Sequence, residues 1–129
     1  MVVPFEVTVP GTPFGVRTLR REISGIAEDC GMDATGVADV QLAVTEAATN
    51  AVMHAYATTP GDVTVTAAVH EGELAIVIAD TGGGLVERSD SPGLGVGLSI
   101  IATVTDHMRI VSDTSGTTIH MTFPCTDRD

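Results

Sequence analysis

The stretch VTVTAAVHEGELAIVIAD at residues 63–80 carries the strand pattern from which the fold class can be predicted. Its first half alternates apolar residues with threonines, and its second half, Leu74 to Ala79, is continuously apolar. Alternation at every second residue is typical of a half-buried strand, and Glu71-Gly72 between the halves suits a tight turn. The stretch therefore predicts an antiparallel β-hairpin.

Two helical patterns precede the hairpin. The first follows a short strand, PFEVTVP at residues 4–10, begins at the N-cap Thr12 with a proline in its first turn, and is expected to end at Gly31. Its apolar stripe consists of Leu19, Ile23, Ile26 and Cys30. The second helix is predicted from about Thr35 to Ala57, where apolar residues keep a helical period without an intervening proline.

A loop rich in glycine, serine, aspartate and proline follows the hairpin. A third helix is then predicted from Val96 to Thr105, and two closing strands from Arg109 to Ser112 and from Thr117 to Phe123. Hairpin-joined strands with helices that each bury one face fit a two-layer α+β sandwich better than a doubly wound parallel sheet. A chain of 129 residues, 43% of them hydrophobic, is expected to form a single domain over residues 1–129.

Composition excludes several classes of function. The formal net charge of −11 opposes direct binding to nucleic acid, because an acidic surface repels phosphate backbones. No apolar run approaches the roughly 20 residues of a membrane span, and no signal sequence follows Met1, so a cytoplasmic protein without a membrane partner is expected. Cys30 and Cys125 are interpreted as ordinary thiols that could form at most one bridge, and the scattered histidines predict no zinc site.

Glu46, Asn50 and His54 are spaced four residues apart, so they line one stripe of the second helix among small alanines. A carboxylate beside an amide oxygen suits a site in which Asn50 helps to hold Mg²⁺ and Glu46 accepts a proton from an attacking hydroxyl. The spacing by itself leaves open a helix face that is merely exposed to water.

Asp80 and Thr117 are predicted to face the interior from strand ends, because each is in phase with buried apolar residues. The carboxylate followed by Gly82 and Gly84 could accept a hydrogen bond from the exocyclic amine of adenine. Thr117 could reach a buried base through water. The alternative for Asp80 is an aspartate that simply starts a glycine turn.

A glycine-rich loop with Gly93, Gly95 and Gly97 opens into a helix at Leu98. Free amides and the helix dipole at a helix N-terminus favour phosphate, so this segment is a candidate phosphate site. It does not match the dinucleotide fingerprint, and the chain contains no lysine for a Walker-type loop. Flexible-loop glycines without a ligand are the alternative.

In this order, four motifs resemble the sequence boxes of the GHKL ATPase superfamily, shared by gyrase, histidine kinases and MutL: Glu46-x-x-x-Asn50, Asp80-x-Gly82-x-Gly84, Gly93-x-Gly95-x-Gly97 and Gly116-Thr117. The segment VTEAATNAVMHAY at residues 44–56 most resembles the sequences of the anti-sigma-factor serine/threonine kinases of that superfamily. The resemblance extends from about Phe5 to Phe123. It implies the Bergerat-type two-layer α/β sandwich, with a mixed, mostly antiparallel sheet, about three helices on one face, and bound ATP and Mg²⁺.

The resemblance also implies a role for each matching residue. Glu46 matches the catalytic base, Asn50 the Mg²⁺ ligand and Asp80 the carboxylate that recognises adenine. The remaining matches contact the nucleotide at its base or at its phosphates, and they are Gly82, Gly84, Gly93, Gly95, Gly97, Leu98 and Thr117. Arg88 is the sole basic residue of a short lid, Leu85 to Pro92, and this short lid is expected to weaken phosphate stabilisation.

Such proteins bind a sigma factor and phosphorylate a serine of a small anti-anti-sigma (STAS-type) protein. The resemblance is also compatible with a homodimer of this chain. By analogy, Arg17, Arg20 and Arg21 become a docking surface, whereas the residues alone favour a solvated helix face. Two alternatives remain: a non-catalytic, nucleotide-dependent protein-binding switch of the same fold, and a stand-alone histidine-kinase-type catalytic domain.

Overall fold

The computed structural model describes residues 5–52, 61–81, 94–113 and 115–125, with the backbone alone for 94–98. The order of elements agrees with the predicted order. The elements are β1 (Phe5–Pro10), α1 (Pro13–Asp29), α2 (Ala34–Asn50), β2 (Asp62–His70), β3 (Glu73–Asp80), α3 (Leu94–Val104), β4 (His107–Asp113) and β5 (Gly116–Pro124). Within the described ranges, no helix is both long and apolar enough to cross a bilayer.

The described strands form one five-stranded sheet in the order β1-β2-β3-β5-β4. Every pairing in this sheet is antiparallel, so the expectation of a mixed sheet is wrong for these strands. The reason lies in the position of β5. The connection from β3 through α3 to β4 is a crossover between two strands of the same direction, and β5 lies between them and pairs antiparallel with both.

The predicted hairpin of β2 and β3 is confirmed, with His70 paired to Glu73 across a two-residue turn. Glu71 and Gly72 both have positive φ, at 52° and 79°. Turns with two left-handed central residues match the right-handed twist of the strands they join. The glycine carries this conformation without a steric penalty.

The core lies between one face of the sheet and the helices. Alternate residues of the central strands are buried, among them Val63, Val65, Leu74, Ile76, Ile119 and Met121. They pack with the helix residues Leu19, Ile23, Val40, Val44 and Ile101. α2 contacts both other helices as well as β3 and β5, so it is the central helix of the layer. The two-layer α+β prediction is thus confirmed.

The N-caps of α1 and α2 are side-chain oxygens. Thr12 Oγ1 accepts a hydrogen bond from the Gly15 amide at 3.1 Å, and Asp33 Oδ1 accepts one from the Gly36 amide at 2.8 Å. Such caps satisfy donors that have no partner within the helix. At the other end of α1, Gly31 adopts a φ of 97° and terminates the helix as predicted.

Several element boundaries differ from the predicted ones. The predicted extension of α2 to residue 57 passes beyond the described residues, which stop at 52 and resume at 61. α3 begins at Leu94 and not at Val96, so Gly95 and Gly97 lie inside the helix. Each glycine destabilises a helix by about 1 kcal/mol relative to alanine, and the packing of α3 against α2 offsets this loss. β4 and β5 are longer at both ends than predicted.

Candidate functional site

Asp80 and Thr117 lie directly opposite each other, at the end of β3 and the beginning of β5. Thr117 is 4% exposed, as its phase with Ile119 predicted, and Asp80 is half-buried. Ser112 on β4 is the third member of this group, because its Oγ lies 3.0 Å from Thr117 Oγ1. Sequence reasoning missed Ser112, since its contact depends on the pairing of β4 with β5. One end of the sheet therefore carries a carboxylate and two hydroxyls.

Gly116 permits the close approach of β5 to Asp80. Its φ is 142°, and a Cβ at this position would lie 2.1 Å from the carbonyl oxygen of Asp80. Real Cβ atoms do not come so close to backbone atoms, and side-chain-bearing residues rarely adopt this φ. The glycine that precedes Thr117 is thus required by the backbone.

The β4–β5 turn beside this group is fixed by Asp113. Its Oδ1 accepts hydrogen bonds from the hydroxyl and the amide of Ser115, the amide at 2.8 Å. These bonds lower the pKa of Asp113, because they stabilise the charged carboxylate. Asp113 pairs with Gly116 across the turn, so the charged form helps to hold the backbone next to Thr117.

Asn50 is buried in the last turn of α2, with 8% exposure, while Glu46 one turn earlier is half-buried. Their neighbours Ala47, Ala48 and Ala51 are all buried. A water-exposed helix face therefore does not describe Asn50. α2 packs against β3 and β5, the two strands that carry Asp80 and Thr117.

The Nδ2 atom of Asn50 is buried and has no hydrogen-bond partner among the described residues. Leaving such an atom unsatisfied costs about 1–3 kcal/mol, so buried polar groups without partners are uncommon in proteins. A half-turn about the last side-chain bond exchanges the amide oxygen and nitrogen at this position. The orphaned amide fits a ligand position, since it can present an oxygen to a cation or a nitrogen to an anion.

The other predicted site residues are described by their backbone alone or not at all. His54, Gly82, Gly84, Arg88 and Gly93 fall outside the described residues. Gly95, Gly97 and Leu98 belong to the first two turns of α3, where the backbone alone is described. Their roles stay predictions.

The three arginines of α1 form an exposed surface, here called the arginine face and defined by Arg17, Arg20 and Arg21. They line a groove of about 510 Å³ between α1 and α2, together with Ser24, Gly25, Glu28 and Gln41. Gln41 Nε2 donates to Ser24 Oγ at 2.7 Å and thereby connects the two helices under the groove. Phe14 is 66% exposed beside this surface, with the Arg17 guanidinium 5.8 Å from its ring centre.

Residues 9–123 match the family model of the histidine kinase-like ATPase domain. The chain belongs to this family. A serine-protein kinase RsbW from Bacillus licheniformis is 35% identical to it, over 91% of this chain and 82% of the relative. The serine-protein kinase RsbW of Bacillus subtilis strain 168 is 32% identical over the same shares. The resemblance inferred from the four motifs is confirmed at the level of the family.

Two solved structures share the fold of this histidine kinase-like ATPase domain. The RsbU and RsbW domains of a Mycobacterium tuberculosis protein align with a TM-score of 0.76 and 27% identity over 95% of this chain, which spans 32% of that one. A histidine kinase domain from Erythrobacter litoralis EL346 aligns with a TM-score of 0.64 and 21% identity, over 87% of this chain and 64% of that one. The second likeness concerns the fold alone.

Proposed function

We propose that this protein is an ATP-dependent serine/threonine kinase that binds a sigma factor and phosphorylates a serine of a small anti-anti-sigma (STAS-type) partner. The observation that carries the proposal is the buried, orphaned amide of Asn50, one turn after Glu46, on the helix that packs against β3 and β5. The serine-protein kinases RsbW that match most of this chain support the same activity.

In the proposed site, Asp80 accepts a hydrogen bond from the exocyclic amine of adenine. Its half-buried position at the end of β3 suits this role, because a carboxylate there is shielded from competing water. Thr117, hydrogen-bonded to Ser112, approaches the same base through water. Gly82 and Gly84 would let the base come close to the backbone, and Gly93, Gly95, Gly97 and Leu98 would surround the phosphates together with Arg88.

The residues at the end of α2 fit a magnesium ion. Asn50 would supply a hard amide oxygen, the kind of ligand that Mg²⁺ takes alongside phosphate oxygens and water. When bound, the ion neutralises charge on the phosphates and so supports phosphoryl transfer. Glu46 would accept the proton of the partner's serine hydroxyl, because a half-buried carboxylate one turn away from the ion's ligand can reach the attacking group.

The arginine face is the proposed docking surface for the protein partners. Three guanidinium groups around one groove offer planar, multidentate donors for carboxylates, and Phe14 beside them adds apolar area. The net charge of −11 surrounds this positive patch with an acidic surface, which favours orientation of an acidic partner segment toward the patch. We further propose a cytoplasmic, single-domain protein that can form a homodimer.

The short lid favours a second candidate function, a nucleotide-dependent anti-sigma clamp that does not transfer phosphate. Residues 85–92 contain Arg88 alone as a basic group, whereas phosphoryl transfer depends on several positive groups around the transferred phosphate. Retention of Glu46 favours the kinase. No observation favours a histidine-kinase-type catalytic role.

The first test is calorimetric titration of the whole chain with ATP and Mg²⁺, for the wild type and Asp80→Asn. We expect the wild type to bind and Asp80→Asn to lose about tenfold in affinity, because the substitution removes the negative charge that strengthens the hydrogen bond from the adenine amine and replaces one of two acceptor oxygens with a donor. Glu71→Gln is the matched control, since Glu71 is exposed in the hairpin turn at the other end of β3. Absence of wild-type binding at millimolar ATP would contradict both candidates.

The second test separates the kinase from the clamp. The wild type and Glu46→Gln are incubated with labelled ATP and a STAS-type substrate, and transfer to the substrate is measured. Loss of transfer in Glu46→Gln with ATP affinity retained is expected for the kinase. Equal ATP binding with no transfer by either protein would refute the kinase and leave the clamp.

A further inference from the structure

Ser112 and Thr117 form a hydroxyl pair on the face of the sheet that meets the helices. Ser112 alternates in phase with Met108 and Ile110, which pack against the core, and Thr117 alternates with the buried Ile119. Ser112 and Thr117 are directly opposite each other in the pairing of β4 with β5, and Ser112 Oγ lies 3.0 Å from Thr117 Oγ1. The contact joins two strands, so it depends on their register.

The neighbouring turn fixes this register. Asp113 pairs with Gly116, the next residue pair along the two strands, and Asp113 Oδ1 accepts a hydrogen bond from the Ser115 amide at 2.8 Å. On the other side of β5, the positive φ of Gly116 and its close approach to β3 set the position of this strand. A slip of one residue would turn one of the two hydroxyls to the opposite face of the sheet. The hydroxyl pair is therefore a fixed part of this sheet end.

The hydrogen bond of this pair can run in either of two directions. A hydroxyl carries one proton and two lone pairs, and the proton rotates unless a neighbour restricts it. Thr117 is 4% exposed, so bulk water has little influence on its orientation. When Ser112 donates, the Thr117 proton is available to a further acceptor. When Thr117 donates to Ser112, Thr117 can offer only lone pairs to a ligand.

The chemistry of adenine selects one of these directions. Adenine carries a ring acceptor, N1, beside its exocyclic amine. Asp80, directly opposite Thr117 on β3, accepts from the amine in the proposed site, and a carboxylate has no proton to donate. A water that donates one proton to N1 and the other to Asp80 has only lone pairs left for Thr117. Thr117 must then donate to this water, which requires Ser112 to donate to Thr117.

We propose that Ser112 is a positioning residue for adenine recognition, a role that rests on the proposed function. Its hydroxyl donates to Thr117 and directs the Thr117 proton toward the water that contacts N1. Ser112 does not touch the nucleotide, so its effect on binding passes through Thr117. A donor that already points at its acceptor lowers the ordering cost of binding. Loss of one such neutral hydrogen bond changes an affinity about threefold to tenfold.

The test compares ATP with two analogues by calorimetric titration of the full chain in the presence of Mg²⁺. In 1-deaza-ATP a carbon replaces N1, and in 7-deaza-ATP a carbon replaces the ring nitrogen on the other side of the amine. Ser112→Ala should weaken the binding of ATP and of 7-deaza-ATP about threefold to tenfold, and it should leave the affinity for 1-deaza-ATP within about twofold. Ser112→Thr keeps the hydroxyl and should restore the affinity for ATP.

Further variants show whether Ser112 acts through Thr117. In a Thr117→Val background, which lacks the second hydroxyl, Ser112→Ala should change the affinity for ATP by less than about twofold. Thr118→Val is the matched control, because Thr118 lies on the opposite face of β5 and its variant should bind ATP like the wild type. Urea unfolding without nucleotide gives an independent measurement. Ser112→Ala should lower the unfolding midpoint less in the Thr117→Val background than in the wild type, because residues in contact are not additive.

Each of the remaining outcomes overturns the role of Ser112. An equal loss for ATP and 1-deaza-ATP in Ser112→Ala would indicate a general distortion of the site. A loss that persists in the Thr117→Val background would indicate that Ser112 contacts the nucleotide directly, and additive unfolding midpoints would contradict the hydroxyl contact. Unchanged ATP affinity in Ser112→Ala would overturn this role alone. Absence of wild-type binding to all three nucleotides would overturn the proposed function together with it.

Discussion

Replacing Gly116 with alanine should disrupt the sheet end that carries Asp80. Two physical effects combine at this position. The φ of 142° lies in a region that is open to glycine and costs other residues about 1–3 kcal/mol. In addition, the new Cβ would lie 2.1 Å from Asp80 O, so the end of β3 must move by about 1 Å to restore an ordinary contact.

The movement should also weaken backbone pairing between β3 and β5, worth about 1 kcal/mol for each lost hydrogen bond. The sum predicts a destabilisation of about 2–4 kcal/mol, with a fall in ATP affinity because Asp80 moves with its backbone. Gly72→Ala is the matched control. Gly72 also has a positive φ, of 79°, but a Cβ added there would meet no atom within 4 Å, so strain alone should cost about 1 kcal/mol.

Urea unfolding gives the stabilities of the two variants, and ATP titration at a temperature where both are folded gives their affinities. A Gly116→Ala variant that is no less stable than Gly72→Ala would refute the predicted clash, and one that binds ATP as tightly as the wild type would refute the predicted movement of Asp80. A loss of stability without any loss of affinity would show that Asp80 keeps its position and that the clash is absorbed by β5.

Three further predictions concern stability. Gly25→Ala on α1 should add about 0.5–1 kcal/mol in urea unfolding, because a Cβ at Gly25 would meet no neighbouring atom within 4 Å; a loss of stability would contradict this. Leu74→Ala should cost about 2–5 kcal/mol, since Leu74 is completely buried in β3; a cost below 1 kcal/mol would refute its place in the core. Burial, and then the charge of Arg109, lower the pKa of His120. Protons therefore bind the unfolded state more readily, and stability is lost as pH falls from about 6.5 through the folded pKa. His120→Gln should reduce this loss in melting temperatures measured between pH 7 and 5, and an unchanged pH dependence would contradict the assignment.

Local structure could be predicted from the sequence. The hairpin of residues 63–80, the N-cap at Thr12 and the inward direction of Thr117 follow from period-2 or period-3.6 patterns and from turn chemistry. Each of these features depends on residues that are close in the chain. For the same reason the sequence predicted an α+β sandwich and the order of its elements, and the four motifs in order predicted the family.

Boundaries were less well determined, because packing extends elements beyond their local signals. α3 begins at Leu94 in spite of two glycines, since its contact with α2 offsets their low helix propensity. The mixed sheet expected from the resemblance was wrong for the described strands. The alternation of residues along a strand indicates which face of the strand is buried. It does not indicate which other strand will pair with it.

Contacts between segments that are distant in the chain could not be predicted, because they depend on tertiary packing. The insertion of β5 between β3 and β4 brings Ser112 to Thr117 and makes Gly116 indispensable beside Asp80. The same packing buries the amide of Asn50. These contacts arise when helices and strands bury their apolar faces together, and the free energy of that burial depends on all partners at once, so no local pattern in the sequence encodes it.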